Sequence, residues 1–222
     1  MNRVKLKPLI FLIILATVLF LKAVALDFYK INSDSMSNTL QHGDYILVNR
    51  MAYRFRTPNR IVLPFIDYKF RIPSFSTITD SVKRGDVILF YLDDNPNSVI
   101  KRCVAVENDT VEIYNKYLIV NGKPVELMND SEFIPFYFDS KTFDPDYSDN
   151  DIVPTGNGNR DYYNSIIVPK NSCFVLGDNR DYSYDSRYFG FVSYNSIQGK
   201  AILVYYSEQD TLRSERILNF IK

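Results

Sequence analysis

The sequence predicts a mainly β, membrane-anchored chain, and three observations carry that prediction. Short apolar runs follow one another with turn residues between them, as in an all-β domain. The aromatic share is 15% and consists only of Tyr and Phe, a composition that suits strands. A long apolar run near the N-terminus stands apart from both. With 222 residues the chain holds one sizeable domain, or one domain with an insertion.

The first element is the anchor. Arg3, Lys5 and Lys7 precede Leu9–Leu26, 18 residues that are apolar except for Thr17 and Lys22. As a helix they reach about 27 Å, against a hydrocarbon core of roughly 30 Å. Lys22 lies near the end and can snorkel to the interface. Positive charge before the run puts the N-terminus in the cytoplasm and residues 27–222 outside. The expected address is therefore the inner (cytoplasmic) membrane, single-pass, with 1–26 as N-terminus and anchor. Ala23-Val24-Ala25 has the small-x-small form of a leader cleavage site, which is the alternative. The length of the run favours an anchor that stays.

The strands come next. Phe28–Ser35 alternates, and Tyr45–Asn49, Asp86–Tyr91, Ser98–Val106 and Val111–Tyr114 follow. Tyr117–Val120 and Lys123–Leu127 flank Asn121-Gly122, the signature of a tight hairpin. Ser172–Leu176 and Gly199–Tyr206 complete the set, and no amphipathic helical pattern of any length appears before the C-terminal end. Two segments interrupt the series. Met51–Asp80 mixes basic residues with aromatics and reads either as a packed loop with strand pieces or as a surface dipping into the membrane interface. Met128–Ser165, rich in Asp, Asn, Tyr, Pro and Gly, reads as a polar excursion from the β core, a cap.

The totals exclude some functions. Lys and Arg number 26, as do Asp and Glu, so the basic excess of a nucleic-acid binder is absent. One histidine and two distant cysteines give neither a zinc cluster nor a disulfide-dense scaffold. Cys103 and Cys173 read as two buried thiols, or as a single bridge in an oxidising compartment.

Three segments carry chemistry. In Ile31–Asp44, INSDSMSNTLQHGD, strand alternation would put Tyr29, Ile31, Ser33 and Ser35 on one wall, apolar with hydroxyls at its end. A serine nucleophile needs a base. His42 precedes Gly43-Asp44, a turn signal, seven residues from Ser35, where an exposed ring is the ordinary outcome. Lys101 sits within the apolar strand VIKRCVAV and serves if burial keeps its amine neutral; the plain alternative is an edge-strand lysine that discourages aggregation. In LGDNRDYSYDSRYFGFV, Leu176–Val192, paired opposite charges and hydroxyls between glycines suggest a hydrogen-bonded loop under a site.

Together and in this order, after an N-terminal anchor, these segments resemble type I signal peptidases. The resemblance is carried by SDSMSNTL, by RGDVILF (Arg84–Phe90), by IKRCVAVEND and above all by GDNRDYSYDSRYFG. It implies a membrane-anchored, β-rich catalytic core with an inserted β cap, here at approximately 112–168. By position it implies Ser35 as nucleophile, Lys101 as general base and the Ser33 hydroxyl in the oxyanion hole. Ser183 corresponds to the serine that orients the lysine amine, and Asp185 and Arg187 to the buttressing charged pair. Arg102, with the charges of 178–187, would hold the strands in register. Strand alternation and family position together assign Tyr29, Ile31, Met36, Leu40, Ile46, Leu89 and Ile100 to pockets for small side chains. Asp34, Asn38, Asn108 and Phe189 replace the family's usual Gly, Pro, Gly and Trp without removing a reacting group.

The implied function is removal of signal peptides from exported preproteins after small-x-small sites. The partners are those preproteins and the lipid bilayer, with no cofactor, no metal and no nucleic acid, and the expected state is a monomer. Two further readings stay open: a processing peptidase with a narrow client set, and a catalytically inactive membrane-anchored binder of exported chains. A soluble Ser-Lys autoprotease would carry a DNA-binding module and lack the anchor, which fits neither end of the sequence.

Overall fold

The computed structural model describes residues 25–125 except 38, 57–59, 63–68, 72–75 and 93–94, then residues 142–221, and seven helical positions between 8 and 17. Among these, helical Ile10, Phe11, Ile13, Ile14 and Leu15 leave 42–65% of their surface uncovered by the rest of the protein. No helix among the described residues is long and apolar enough to cross a membrane. The expected span, Leu9–Leu26, falls mostly outside the described residues.

The strands are β1 (Leu26–Lys30), β2 (Asp44–Asn49), β3 (Arg54–Arg56), β4 (Arg60–Val62), β5 (Lys69–Arg71), β6 (Ser76–Ile78), β7 (Val87–Leu92) and β8 (Asn95–Val106). They continue as β9 (Thr110–Tyr114), β10 (Tyr117–Val120), β11 (Lys123–Pro124), β12 (Tyr163–Ile167), β13 (Ser172–Leu176), β14 (Val192–Ser193), β15 (Ile197–Ser207) and β16 (Asn219–Phe220). The fold is mainly β. An antiparallel main sheet runs β1-β2-β15-β7-β8-β13-β14, with β16 added on β15, and a second sheet runs β11-β10-β9-β12.

β7 explains the layering. Val87, Ile88, Leu89 and Phe90 are all buried, so the strand is covered on both faces. Val87 and Leu89 join Ile31, Met36, Leu40, Ile46, Val48 and Ile100 on one face. Ile88 and Phe90 join Cys103, Cys173, Val175 and Val192 on the other. The second sheet buries Val111, Ile113, Leu118, Val120 and Tyr163 against Val104, Phe174 and Leu176 of β8 and β13. The two strands that carry Lys101 and lead to Gly177 are thus braced from a further side.

The Asn121-Gly122 turn is present, with φ of 53° and 73°. Four expectations differ from the structure. Phe28–Ser35 is not one strand: β1 stops at Lys30, and Ser37 N–H donates to the Asp34 carbonyl at 3.1 Å to close a turn. β11 ends at Pro124, after which Val125 N–H still donates to the Leu118 carbonyl at 2.9 Å, and residues 126–141 lie outside the described set. β12, absent from the expected strand series, emerges at the end of the excursion read as a cap, recruited by the edge of β9. The C-terminal end forms a 3-10 turn at Ser214–Arg216 and then β16, with Leu218 at φ 62° ending any helical course. Met51–Asp80 holds the short pairs β3–β6 and β4–β5, as a loop with strand pieces would. Cys103 and Cys173 are buried free thiols.

Candidate active site

The loop between β1 and β2 is closed at its base by Ile31 N–H to the Asp44 carbonyl at 2.8 Å and Gly43 N–H to the Ile31 carbonyl at 2.9 Å. Ile31, Met36 and Leu40 pin it to the core, with exposures of 4%, 0% and 0%. Between these anchors the backbone turns at Asp34–Ser37 and carries Ser35 into the interior while Asp34 stays exposed. Apolar anchoring of a short polar turn is what lets one hydroxyl be buried without a strand to carry it.

Lys101 comes from the middle of β8 and is only 4% exposed. Its Nζ lies 2.5 Å from Ser35 Oγ, within hydrogen-bond distance. Burial brings its pKa down from 10.5 to about 8; Asp185 and Asp178 oppose that, and Arg187 adds to it. The amine therefore gives up its proton on passing through about pH 8 rather than above 10. Ser33 Oγ stands 3.3 Å from Ser35 Oγ. No described group accepts from the Ser35 N–H, which stands beside the Ser35 hydroxyl. His42 is exposed in its turn, and its carbonyl accepts from Arg213.

The loop after β13 holds this arrangement. Asn179 N–H donates to the Ser35 carbonyl at 3.0 Å, and its Nδ2 donates to the Asp34 carbonyl at 3.0 Å. Fixing the Asp34 carbonyl fixes the peptide plane whose other end is the Ser35 N–H. At Gly177 a Cβ would stand 2.2 Å from Ser183 Oγ and 2.5 Å from the Ser35 carbonyl, so the close approach admits only glycine. Gly177 N–H donates to Asp185 at 3.0 Å. Asp185 in turn takes Arg187 Nε at 2.8 Å and Nη2 at 2.9 Å, a bidentate pair fully inside the protein. Burial pushes the Asp185 carboxyl up, but Arg187 and the Gly177 N–H outweigh it and hold it below the ordinary carboxylate value. Arg102 forks onto Asp178 at 2.8 and 2.7 Å, and Asp178 also accepts from Thr39 Oγ1 at 2.6 Å. β8 thereby reaches the serine loop through Arg102 as well as through Lys101.

Ser183 Oγ is buried against Gly177 and makes no hydrogen bond to the lysine amine. Of the seven residues expected to line substrate pockets, Ile31, Met36, Leu40, Ile46, Leu89 and Ile100 form one buried cluster with Tyr29 packed on it. Met36, Leu40 and Ile46 are 0% exposed, so they back the wall, whereas Tyr29 keeps a partly open ring on its surface. Thr39 and Asn179 were not legible as site residues. Asn179 stands in the quoted charged segment, but its role comes from backbone carbonyls 144 and 145 residues away in sequence.

A family model described as signal peptidase, peptidase S26, matches residues 4–206. A signal peptidase I of Aquifex aeolicus (strain VF5) is 32% identical, over 89% of this chain and 82% of that protein. Signal peptidase I V of Bacillus subtilis (strain 168) is 31% identical, over 80% of this chain and 83% of that one. A solved signal peptidase I from Enterococcus faecalis V583 aligns with 55% of this chain and 97% of its own, at 29% identity and a TM-score of 0.37.

Proposed function

The chain belongs to the signal peptidase family, peptidase S26, whose serine peptidases remove signal peptides, and from that membership we propose a membrane-bound Ser-Lys endopeptidase. Ser35 is the nucleophile and Lys101 the general base. The observation that carries this reading is the buried amine 2.5 Å from Ser35 Oγ.

In the proposed reaction neutral Lys101 takes the Ser35 proton as Oγ attacks the scissile carbonyl. The carbonyl π electrons move to oxygen, which the Ser35 N–H and the Ser33 hydroxyl stabilise. The C–N bond then breaks, and the Lys101 ammonium protonates the leaving amine. Water, deprotonated by the same amine, attacks the acyl-enzyme and releases the signal peptide's new carboxylate, returning the proton to Ser35. Tyr29, Ile31, Leu89 and Ile100 shape shallow apolar pockets that reject large side chains by clash, giving small-x-small selection. The exposed apolar positions between 10 and 15 belong to the proposed anchor, with the catalytic residues on the extracytoplasmic side.

The test is cleavage of a preprotein with an Ala-x-Ala site by detergent-solubilised protein, run for wild type, Ser35→Ala and Lys101→Met across pH. Wild-type cleavage should rise as pH passes through about 8, the pKa of the buried amine, and both variants should be inactive. An acidic optimum, or cleavage surviving Lys101→Met, would overturn the base assignment. A folded wild type that cleaves no preprotein would favour a narrow client set or a binding role.

A further inference from the structure

The family match ends at residue 206, but the chain beyond it returns to the loop that carries Ser35. Ser207 Oγ donates to Asp44 at 2.6 Å, and Glu208 N–H donates to the Gly43 carbonyl at 3.1 Å. Arg213 N–H then donates back to the Ser207 carbonyl at 3.0 Å, and the 3-10 turn Ser214–Arg216 follows. This course presents two guanidinium groups to the outer side of the loop. Arg213 donates to Gln41 Oε1 at 2.8 Å and to the His42 carbonyl at 2.6 Å. Arg216 donates to both Asp44 oxygens, at 3.0 and 2.5 Å, and its Nη2 also reaches the Thr39 carbonyl at 3.0 Å.

The contact is fitted on both sides. Asp44 is 0% exposed. A Cβ at Gly43, whose φ is 88°, would stand 2.1 Å from the Glu208 carbonyl oxygen. Thr39 is where inner and outer supports meet. Its hydroxyl donates to Asp178, its carbonyl accepts from Arg216, and its N–H donates to the carbonyl of Met36, the residue after Ser35. A planar guanidinium bridging a carboxylate and a backbone carbonyl fixes direction as well as distance, which an ammonium does less well.

We propose that Arg216, assisted by Arg213, is a positioning residue for the nucleophile. By locking Thr39 and Asp44 it sets where the Asp34–Leu40 turn stands relative to Lys101. The C-terminal segment thus completes the catalytic frame from outside the residues that match the family. This rests on the assignment of Ser35 and Lys101 above. Misplacement of a reacting group by about 1 Å costs roughly a hundredfold in rate, so the loop has more to lose from this contact than fold stability alone.

The experiment uses the full-length protein as wild type, Arg216→Ala and Arg216→Lys. Preprotein cleavage is measured as kcat and KM, and backbone hydrogen exchange as protection of peptides covering 31–44 and 98–106. For Arg216→Ala we expect kcat to fall roughly ten- to hundredfold with KM little changed. Exchange should rise in 31–44 and stay level in 98–106. Arg216→Lys should restore part of the rate, and so should millimolar guanidinium added to Arg216→Ala. Unchanged kcat, or exchange that rises equally throughout the chain, would overturn the proposal. If wild type fails to cleave the preprotein while exchange in Arg216→Ala rises only in 31–44, the clasp of Arg216 on the loop stands, and it is the reading of the protein as a general signal peptidase that falls. Unchanged exchange in 31–44 sinks the clasp whatever the cleavage.

Discussion

Among the described residues two lysines are buried, and they have opposite surroundings. Lys101, at 4% exposure, meets the hydroxyl of Ser35. Lys116, at 7%, meets both carboxylate oxygens of Asp181, at 3.2 and 3.1 Å. Lys116 occupies the turn between β9 and β10 at φ 70°, and its ion pair ties the second sheet to the loop that carries the Asp185–Arg187 pair. A carboxylate partner gives a buried amine an ion pair and makes it a tie. A hydroxyl partner supplies no such pairing charge: at Lys101 burial outweighs the pull of Asp185 and Asp178 and lowers the pKa of the amine proposed as the base. Burial is common to both, so the partner decides the chemistry.

The largest expected effect separates the two directly. Lys101→Met should lower cleavage by about a thousandfold or more, and the folded protein should remain. Lys116→Met should cleave at close to the wild-type rate while losing about 3–5 kcal/mol of stability, because Asp181 is left partly uncompensated in the interior. Cleavage assays beside thermal or denaturant unfolding check both. Loss of activity in Lys116→Met at full stability would end the distinction.

The next effect concerns the floor beneath the reactive pair. Gly177→Ala adds one methyl where Ser183 and the Ser35 carbonyl already stand. One of them must move, and the Ser35 backbone is the more consequential. A loss of roughly a hundredfold in kcat is expected, with little change in KM. Near-normal kcat would mean that the Ser183 side chain absorbs the methyl and that the serine loop is held elsewhere.

Stability offers a third test, with a sign that runs against intuition. The folded pKa of Lys101 is lowered to about 8 from 10.5, so between those values the unfolded chain binds more protons than the folded one. The wild type therefore bears the full cost of the buried lysine below pH 8, and that cost fades as pH rises towards 10.5. Lys101→Met should be more stable than wild type by up to about 3 kcal/mol at neutral pH, with the gap closing at alkaline pH. Urea unfolding at several pH values checks it, and a gap that widens with pH would contradict it.

Much of the fold was legible because it is written locally. The continuous VILF of β7, the Asn-Gly turn and the alternation of β2 each specify their element within a few residues. Ser35 and Lys101 were legible through the resemblance of their segments, not through spacing, since 66 residues separate them. What escaped was the work of backbone atoms and of long-range partners. Nothing in Asn179 announces that it will hold two carbonyls of the serine turn. Nothing in Arg216 announces a contact with Thr39 and Asp44. The strand extended to Ser35 failed for the same reason: the alternation of Phe28–Ser35 is real, but Ser37 capping the Asp34 carbonyl bends the chain before the pattern ends.

The smallest expected effect is at Asp34, whose charge sits between the two serines and is the most conspicuous departure from the family pattern. Its side chain is exposed, and neither serine hydroxyl bonds to it. Among the described residues only its carbonyl is used, accepting from Ser37 at 2.6 Å through the hydroxyl and at 3.1 Å through the N–H, and from Asn179 Nδ2 at 3.0 Å. Glycine keeps that carbonyl, so all three bonds survive Asp34→Gly. The added freedom of the unfolded chain costs about 0.5–1 kcal/mol, and cleavage should stay within about twofold of wild type. Steady-state cleavage across pH is the check, because the side chain's charge acts on the amine if it acts at all. A downward displacement of the pH profile on its removal would show that Asp34 joins Asp185 and Asp178 in raising the pKa of Lys101, against the burial that lowers it in the proposed base.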